Sequence, residues 1–189
     1  VGNALEVKEA IETLKGNGPE DFVELCLTLG SRMLIAGGKA ADTEEAFRKL
    51  REVIEDGSAL KKFADFVEAQ GGDPRAVYDT GLLPEAPIIH EVKSPAEGYI
   101  SHIACDEVGI CSLILGGGRE TKESDIDLSV GIVLRKKVGD YVKKGDSLAV
   151  IHANCAQKLA EAEKRYLNAC TIAAEEPVRR PLIRGIITV

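Results

Sequence analysis

The stretch Val130–Asn154, VGIVLRKKVGDYVKKGDSLAVIHAN, constrains the fold more than any other part of the chain. Two Gly-Asp pairs, Gly139-Asp140 and Gly145-Asp146, stand six residues apart within it. Glycine reaches positive φ without a Cβ penalty, and aspartate ties its carboxylate back to nearby backbone, so each pair predicts a tight turn. The segments between and after the turns, Tyr-Val-Lys-Lys and Ser-Leu-Ala-Val-Ile, alternate apolar with polar residues or are β-branched, which is strand chemistry. The sequence therefore predicts a compact β unit that folds back on itself.

The chain has 189 residues, enough for one large domain or two small ones with a core that needs no covalent staples. Cys26, Cys105, Cys111, Cys155 and Cys170 show no C-x-x-C pair and no histidine at zinc spacing, so they are read as free thiols of a reducing compartment. The formal net charge of −7 and the lack of tryptophan argue against a nucleic-acid surface. No apolar run approaches the roughly 18 residues of a membrane-crossing helix, and no signal peptide is expected ahead of the fold. The chain starts at Val1, already inside a helix-initiating pattern with Asn3 as cap and Glu6 as its capping-box partner, and is expected to be a piece of something longer.

Residues 1 to about 72 predict four helices. The first runs from Asn3 to Lys15 with Val7, Ile11 and Leu14 on one face, and Gly16 stops it. The second starts at Pro19, carries a stripe of Phe22, Leu25, Cys26, Leu29 and Met33, and ends at Gly37-Gly38. The third is capped at Asp42 or Thr43 with Glu45 as box partner; the fourth is capped by Ser58 and closed by Gly71-Gly72. Leu82 to Pro87 holds two prolines and marks a boundary, after which Val, Ile and Gly replace the helix formers. Strands are predicted at Ile88–Lys93, Gly98–Ala104 and Cys111–Leu115, a helix over 156–173, and a last strand at Leu182–Val189.

The fold class expected is α+β: a helical segment, 1–84, from the end of an α/β domain, followed by a β-rich, barrel-sandwich-like domain, 85–189, with a late helix and a final strand.

No segment carries a self-sufficient catalytic constellation. Gly116-Gly117-Gly118-Arg119 has the bare amides and the guanidinium of an anion cradle, but not the spacing of a nucleotide-binding loop, and is read first as a turn or bulge. Lys136-Lys137, Lys143-Lys144 and Arg179-Arg180 are read as edge and turn residues rather than an anion patch. His90, His102 and His152 are isolated. Asp125 and Asp127 offer paired carboxylates for acid–base work, against which capping or turn formation is the simpler reading.

Several segments resemble one family. GNALEVKEA at Gly2–Ala10, LCLTLG at Leu25–Gly30, AQGGD at Ala69–Asp73, Gly116–Arg119, Ile126–Leu128 and the Val130–Asn154 stretch closely resemble the pyrimidine-nucleoside phosphorylases and the related thymidine phosphorylases. The likeness runs in order along nearly the whole chain. It implies a pentosyltransferase of nucleoside salvage, cytoplasmic, in which phosphate attacks C1′ of uridine, thymidine or deoxyuridine to give the free base and a pentose 1-phosphate. The family's phosphate loop and base-holding residues precede the GNALEV segment, so the resemblance assigns no catalytic or substrate-binding residue here and implies that this piece alone is inactive. It implies one metal ligand: Glu9 matches the carboxylate that helps hold a potassium ion, in a site that this chain leaves incomplete. It implies no organic cofactor, nucleic acid or membrane, and a homodimer for the whole enzyme, with the oligomeric state of this piece open.

Two other readings compete. Val138–Ile151 nearly matches the pattern of biotinyl and lipoyl carrier domains, but Cys155 stands where the carrier lysine belongs, and a thiol cannot form that amide. The other is a non-catalytic interaction module.

Overall fold

The computed structural model describes residues 1–119 and 121–187. It is an α+β chain of helices and two small antiparallel sheets that divides into two compact units. One comprises Val1–Glu6 with Leu83–Arg179; the other comprises Val7–Leu82 with residues from Arg180 on.

The helical unit holds most of α1 (Asn3–Leu14), then α2 (Glu20–Ala36), α3 (Thr43–Glu55), α4 (Ser58–Ala69) and the short α5 (Arg75–Tyr78). Small residues let the helices approach. A Cβ on Gly30 of α2 would lie 3.0 Å from the Leu50 side chain of α3. Ala46 and Ala64 are buried with Ile11, Leu27 and Val77. Asp42 caps α3 by accepting the Glu45 N–H, while the Glu45 carboxylate accepts from Ala41.

Several local expectations needed correction. Ser58 opens α4 but does not cap it: Gly57 takes the cap position at φ +76°, and the Ser58 hydroxyl turns back to Val53. On α2 the buried positions are Leu27 and Ser31, whereas Leu29 and Met33 of the expected stripe are 53% and 72% exposed. At the start of α1, Glu6 accepts from Gly2 rather than Asn3, and the Asn3 side chain donates to Gly117.

The β unit is two three-stranded antiparallel sheets. The first has the order β1-β5-β3, from β1 (Ile88–Lys93), β5 (Ser147–Ala153) and β3 (Gly131–Leu134). The second has the order β4-β2-β6, from β4 (Tyr141–Val142), β2 (Gly98–Ile103) and β6 (Cys170–Ala173). The sheets do not close into one barrel. Two helices, α6 (Cys105–Leu115) and α7 (Ala156–Ala169), run alongside each other: Glu107 meets Arg165, and the Cys111 thiol donates to Ala162 O. Their inner faces close over a core that includes Tyr166, Ile100, Ile132, Leu148, Ile151 and Val92, none of it exposed.

Residues 111–115, expected as a strand, are the second half of α6. Val108, Cys111, Ser112 and Leu115 are buried at helical spacing, with Asp106 and Glu107 in the positive first turn. A short apolar run fits strand and helix equally until its upstream half is counted with it. The final strand is β6; residues 182–187 form none, and Thr188 and Val189 lie outside the described residues.

The two Gly-Asp pairs form matching turns. Asp140 N–H donates to Lys137 O and Asp146 N–H to Lys143 O, both at 3.0 Å. Each aspartate carboxylate accepts the N–H of the lysine that opens its turn, at 2.8 and 2.9 Å. Gly139 and Gly145 sit at φ +94° and +91°, the third-position geometry that glycine supplies without strain.

Candidate functional site

A hydrogen-bonded polar cluster of the β unit gathers where β5 ends and α7 begins. Asp127 accepts from the Ser129 N–H at 3.0 Å and from its hydroxyl at 2.6 Å on one carboxylate oxygen, and from Asn154 on the other. Asn154 also donates to Ser129 Oγ at 3.0 Å. Desolvation raises the Asp127 pKa, but the bonds from Ser129 and Asn154, with Lys158 nearby, outweigh it and hold the carboxyl below its ordinary value. Asp127 is therefore a fixed acceptor rather than a proton donor. Asp125 is exposed in an irregular segment, while the Asp127 carboxylate is turned to Ser129 and Asn154.

Beside this cluster, Cys155 takes the N-cap position of α7 and is exposed. The N–H groups of Lys158 and Gln157, and then the Lys158 charge, lower its thiol pKa. A carrier domain would need a lysine on a hairpin tip here; the chain presents a thiol on a helix start. Sequence reasoning missed Ser129 and Asn154: Ser129 bonds Asp127 two residues before it, a local Asp-x-Ser signal, whereas Asn154 reaches Asp127 from 27 residues away and leaves no spacing to read.

The remaining candidates occupy structural positions. Gly116-Gly117 follow a helix, not a strand. Gly116, at φ +107°, donates to Leu113 O, and Gly117 donates to Ser112 O at 2.8 Å. The amides that an anion would need are thus closing the last turn of α6, at the negative end of its dipole. The Gly116 and Gly117 carbonyls accept from Asp127 N–H and Asn3 Nδ2. Lys143 and Lys144 are exposed on the second turn; Arg179 donates to Gly139 O at 2.7 Å and pairs with Glu176. His90 Nε2 lies 2.8 Å from Glu163 Oε1, tying β1 to α7. His102 is exposed on β2, and His152 is half-buried on β5.

Glu9 is exposed on α1. Among the described residues no three His, Cys, Asp or Glu side chains gather as metal ligands. Hard cations take several oxygens, so Glu9 on its own does not fit a potassium site. No helix among the described residues is long and apolar enough to cross a membrane.

Fold and cluster together define an α+β protein whose β unit is built on twin glycine–aspartate turns and whose polar groups serve its own architecture. Residues 99–173 match the model of the pyrimidine nucleoside phosphorylase C-terminal domain. The chain is 52% identical over 183 residues to a pyrimidine-nucleoside phosphorylase of Geobacillus stearothermophilus, covering 97% of this chain and 42% of the relative. It is 49% identical to that of Bacillus subtilis strain 168 and 55% identical to that of Staphylococcus haemolyticus, each over 188 residues and 43% of the relative. By sequence, then, the chain corresponds over its whole length to the C-terminal portion of the pyrimidine-nucleoside phosphorylases, and it spans less than half the length of these relatives.

Proposed function

We propose that the chain is the C-terminal portion of a phosphorylase that cleaves pyrimidine nucleosides in cytoplasmic salvage and acts as a homodimer when whole. In that reaction a phosphate oxygen bonds to C1′ of uridine, thymidine or deoxyuridine as the C1′–N1 bond breaks. The base leaves with the electron pair and takes up a proton. Such chemistry needs an anion cradle for phosphate and donors aimed at the departing base. Residues 1–189 are proposed to supply neither; their part is to support the groups that do. Glu9 stays in this reading as one proposed oxygen of a potassium site whose other ligands lie outside residues 1–189.

The observation that carries the reading is the identity of about half the residues, held along the entire chain, to proteins of that name. The test has two arms. Incubated with uridine or thymidine and phosphate, the chain alone is expected to release no base. Co-expressed with the N-terminal portion of the Geobacillus relative, it is expected to restore phosphorolysis. Base release by the chain alone would overturn the division of labour, and no activity from a verified complex would overturn the assignment.

A further inference from the structure

We propose that the outer edge of β3 is a docking edge for one more stretch of extended chain, continuous with the amino end of Val1, which pairs antiparallel with Leu134. The inference rests on the phosphorylase reading, in which further polypeptide precedes Val1.

Val1 already behaves as a strand residue. Its nitrogen donates to Ile132 O at 2.8 Å, and its carbonyl accepts the Ile132 N–H at 2.7 Å. This double bond is the closely spaced pair of an antiparallel ladder. The next step of that ladder, Gly2 opposite Gly131, is a bridge between two glycines. The backbones are so close there that a Cβ on Gly131 would lie 2.3 Å from Val1 O, and one on Gly2 would lie 2.7 Å from Val130 O. Direction and register are therefore set. Gly2 leads into α1, and whatever is joined ahead of Val1 is aimed along β3 toward Leu134.

The receiving groups are in place. In an antiparallel strand the N–H and C=O of one residue point to the same side, and the side alternates along the chain. Ile132 points outward, to Val1. Val133 and Arg135 point inward, to β5, as the bond from Arg135 N–H to Leu148 O shows. Leu134 points outward again, and neither its N–H nor its C=O has a partner among the described residues. Two residues separate one outward pair from the next, so the residue two places ahead of Val1 falls opposite Leu134. Main-chain pairing of this kind is tolerant of side-chain identity.

The test is amide hydrogen exchange and NMR on the chain with and without a Thr-Val-Thr-Ser extension at Val1. The extension is expected to slow exchange at Leu134 at least tenfold, independent of protein concentration. It is also expected to give a backbone contact between Leu134 and the residue two places ahead of Val1, while Ile132 stays protected in both chains. Equal Leu134 exchange in the two chains would overturn the proposal. So would Leu134 protection that rises with concentration in the unextended chain, because the edge would then be pairing with a second copy. Phosphorolysis is not read, so failure here leaves the phosphorylase assignment standing.

Discussion

Gly145 donates its N–H to the carbonyl oxygen of Ser94 at 2.8 Å, and Ser94 returns its own N–H to Asp146 O at the same distance. Six residues earlier the arrangement repeats: Gly139 donates to Ile100 O at 2.8 Å, and Ile100 donates to Asp140 O at 2.9 Å. Two equal turns thus clamp the two ends of the Ser94–Ile100 segment, joining β1 and β2 to the β3–β5 region.

The two glycines differ in what surrounds them, which separates the cost of the backbone from the cost of packing. A Cβ on Gly145 meets nothing within 4 Å, so Gly145→Ala is expected to cost only the left-handed backbone, about 1–2 kcal/mol. A Cβ on Gly139 would sit 2.8 Å from Arg179 Nε and displace the guanidinium that bonds Gly139 O. Gly139→Ala is expected to lose that bond as well, roughly another 1 kcal/mol. In a double-mutant cycle with Arg179→Ala, measured by urea unfolding, the excess should vanish. Equal costs for the two glycine substitutions would refute the clasp.

The Asp127 cluster predicts how stability responds to acid. Its carboxyl is held below its ordinary value in the folded chain, so it favours folding at pH above that ordinary value. This contribution disappears as pH falls through the lower, folded value. Asp127→Asn should therefore lower the melting temperature near pH 7, and the difference should shrink as pH falls below the ordinary carboxylate value and through the lower, folded one. A melting difference that does not shrink at all on acidification from pH 7 would show that the substitution acts through packing alone.

Four of the five thiols should separate by reactivity. Cys155 is exposed with a lowered pKa, so more of it is thiolate at neutral pH. Burial pushes Cys111 up to about 11 and also raises Cys170. Cys26, though exposed, is raised as well by partial desolvation. Limited alkylation at pH 7.5, mapped by mass spectrometry, should label Cys155 ahead of Cys26 and leave Cys111 unlabelled until urea is added. Labelling of Cys111 in the folded chain would mean that the contact between α6 and α7 opens readily.

Much of this architecture was legible from local pattern. The Gly-Asp turns were readable because a positive-φ residue followed by a short acceptor determines a turn within four residues. The α3 cap was readable for the same reason: Asp42 and Glu45 act on backbone one turn away. What was not legible depended on distant partners. The apolar run 111–115 taken alone favours neither period; its helical face shows only when Val108 upstream is counted with Cys111 and Leu115, and that face meets Ala162 of α7. Leu29 and Met33 share a helical period with Phe22, yet the face that packs is the one carrying Leu27 and Ser31. Spacing reveals that a helix has an apolar stripe, not which neighbour will cover it. The Gly116–Arg119 loop was open to an anion-cradle reading only while its upstream element was taken for a strand; after a helix, the same glycines are a terminus.

Tyr166 supplies the last prediction, because it is the largest side chain with no exposure and it joins α7 to the first sheet. Its hydroxyl reaches Leu148 O at 3.5 Å and is also bonded to Cys170, and burial raises its pKa above the ordinary phenol value. At that length the bond to Leu148 is weak, so the ring, not the hydroxyl, should provide most of the stabilisation. Tyr166→Phe is expected to cost about 1 kcal/mol, and Tyr166→Ala about 3–5 kcal/mol through the cavity left between α6, α7 and β5. Both are measurable as shifts in the urea midpoint at unchanged m value. If Tyr166→Phe were as damaging as Tyr166→Ala, the hydroxyl network with Leu148 and Cys170 would be what holds α7 in place, and the packing account of this core would fail.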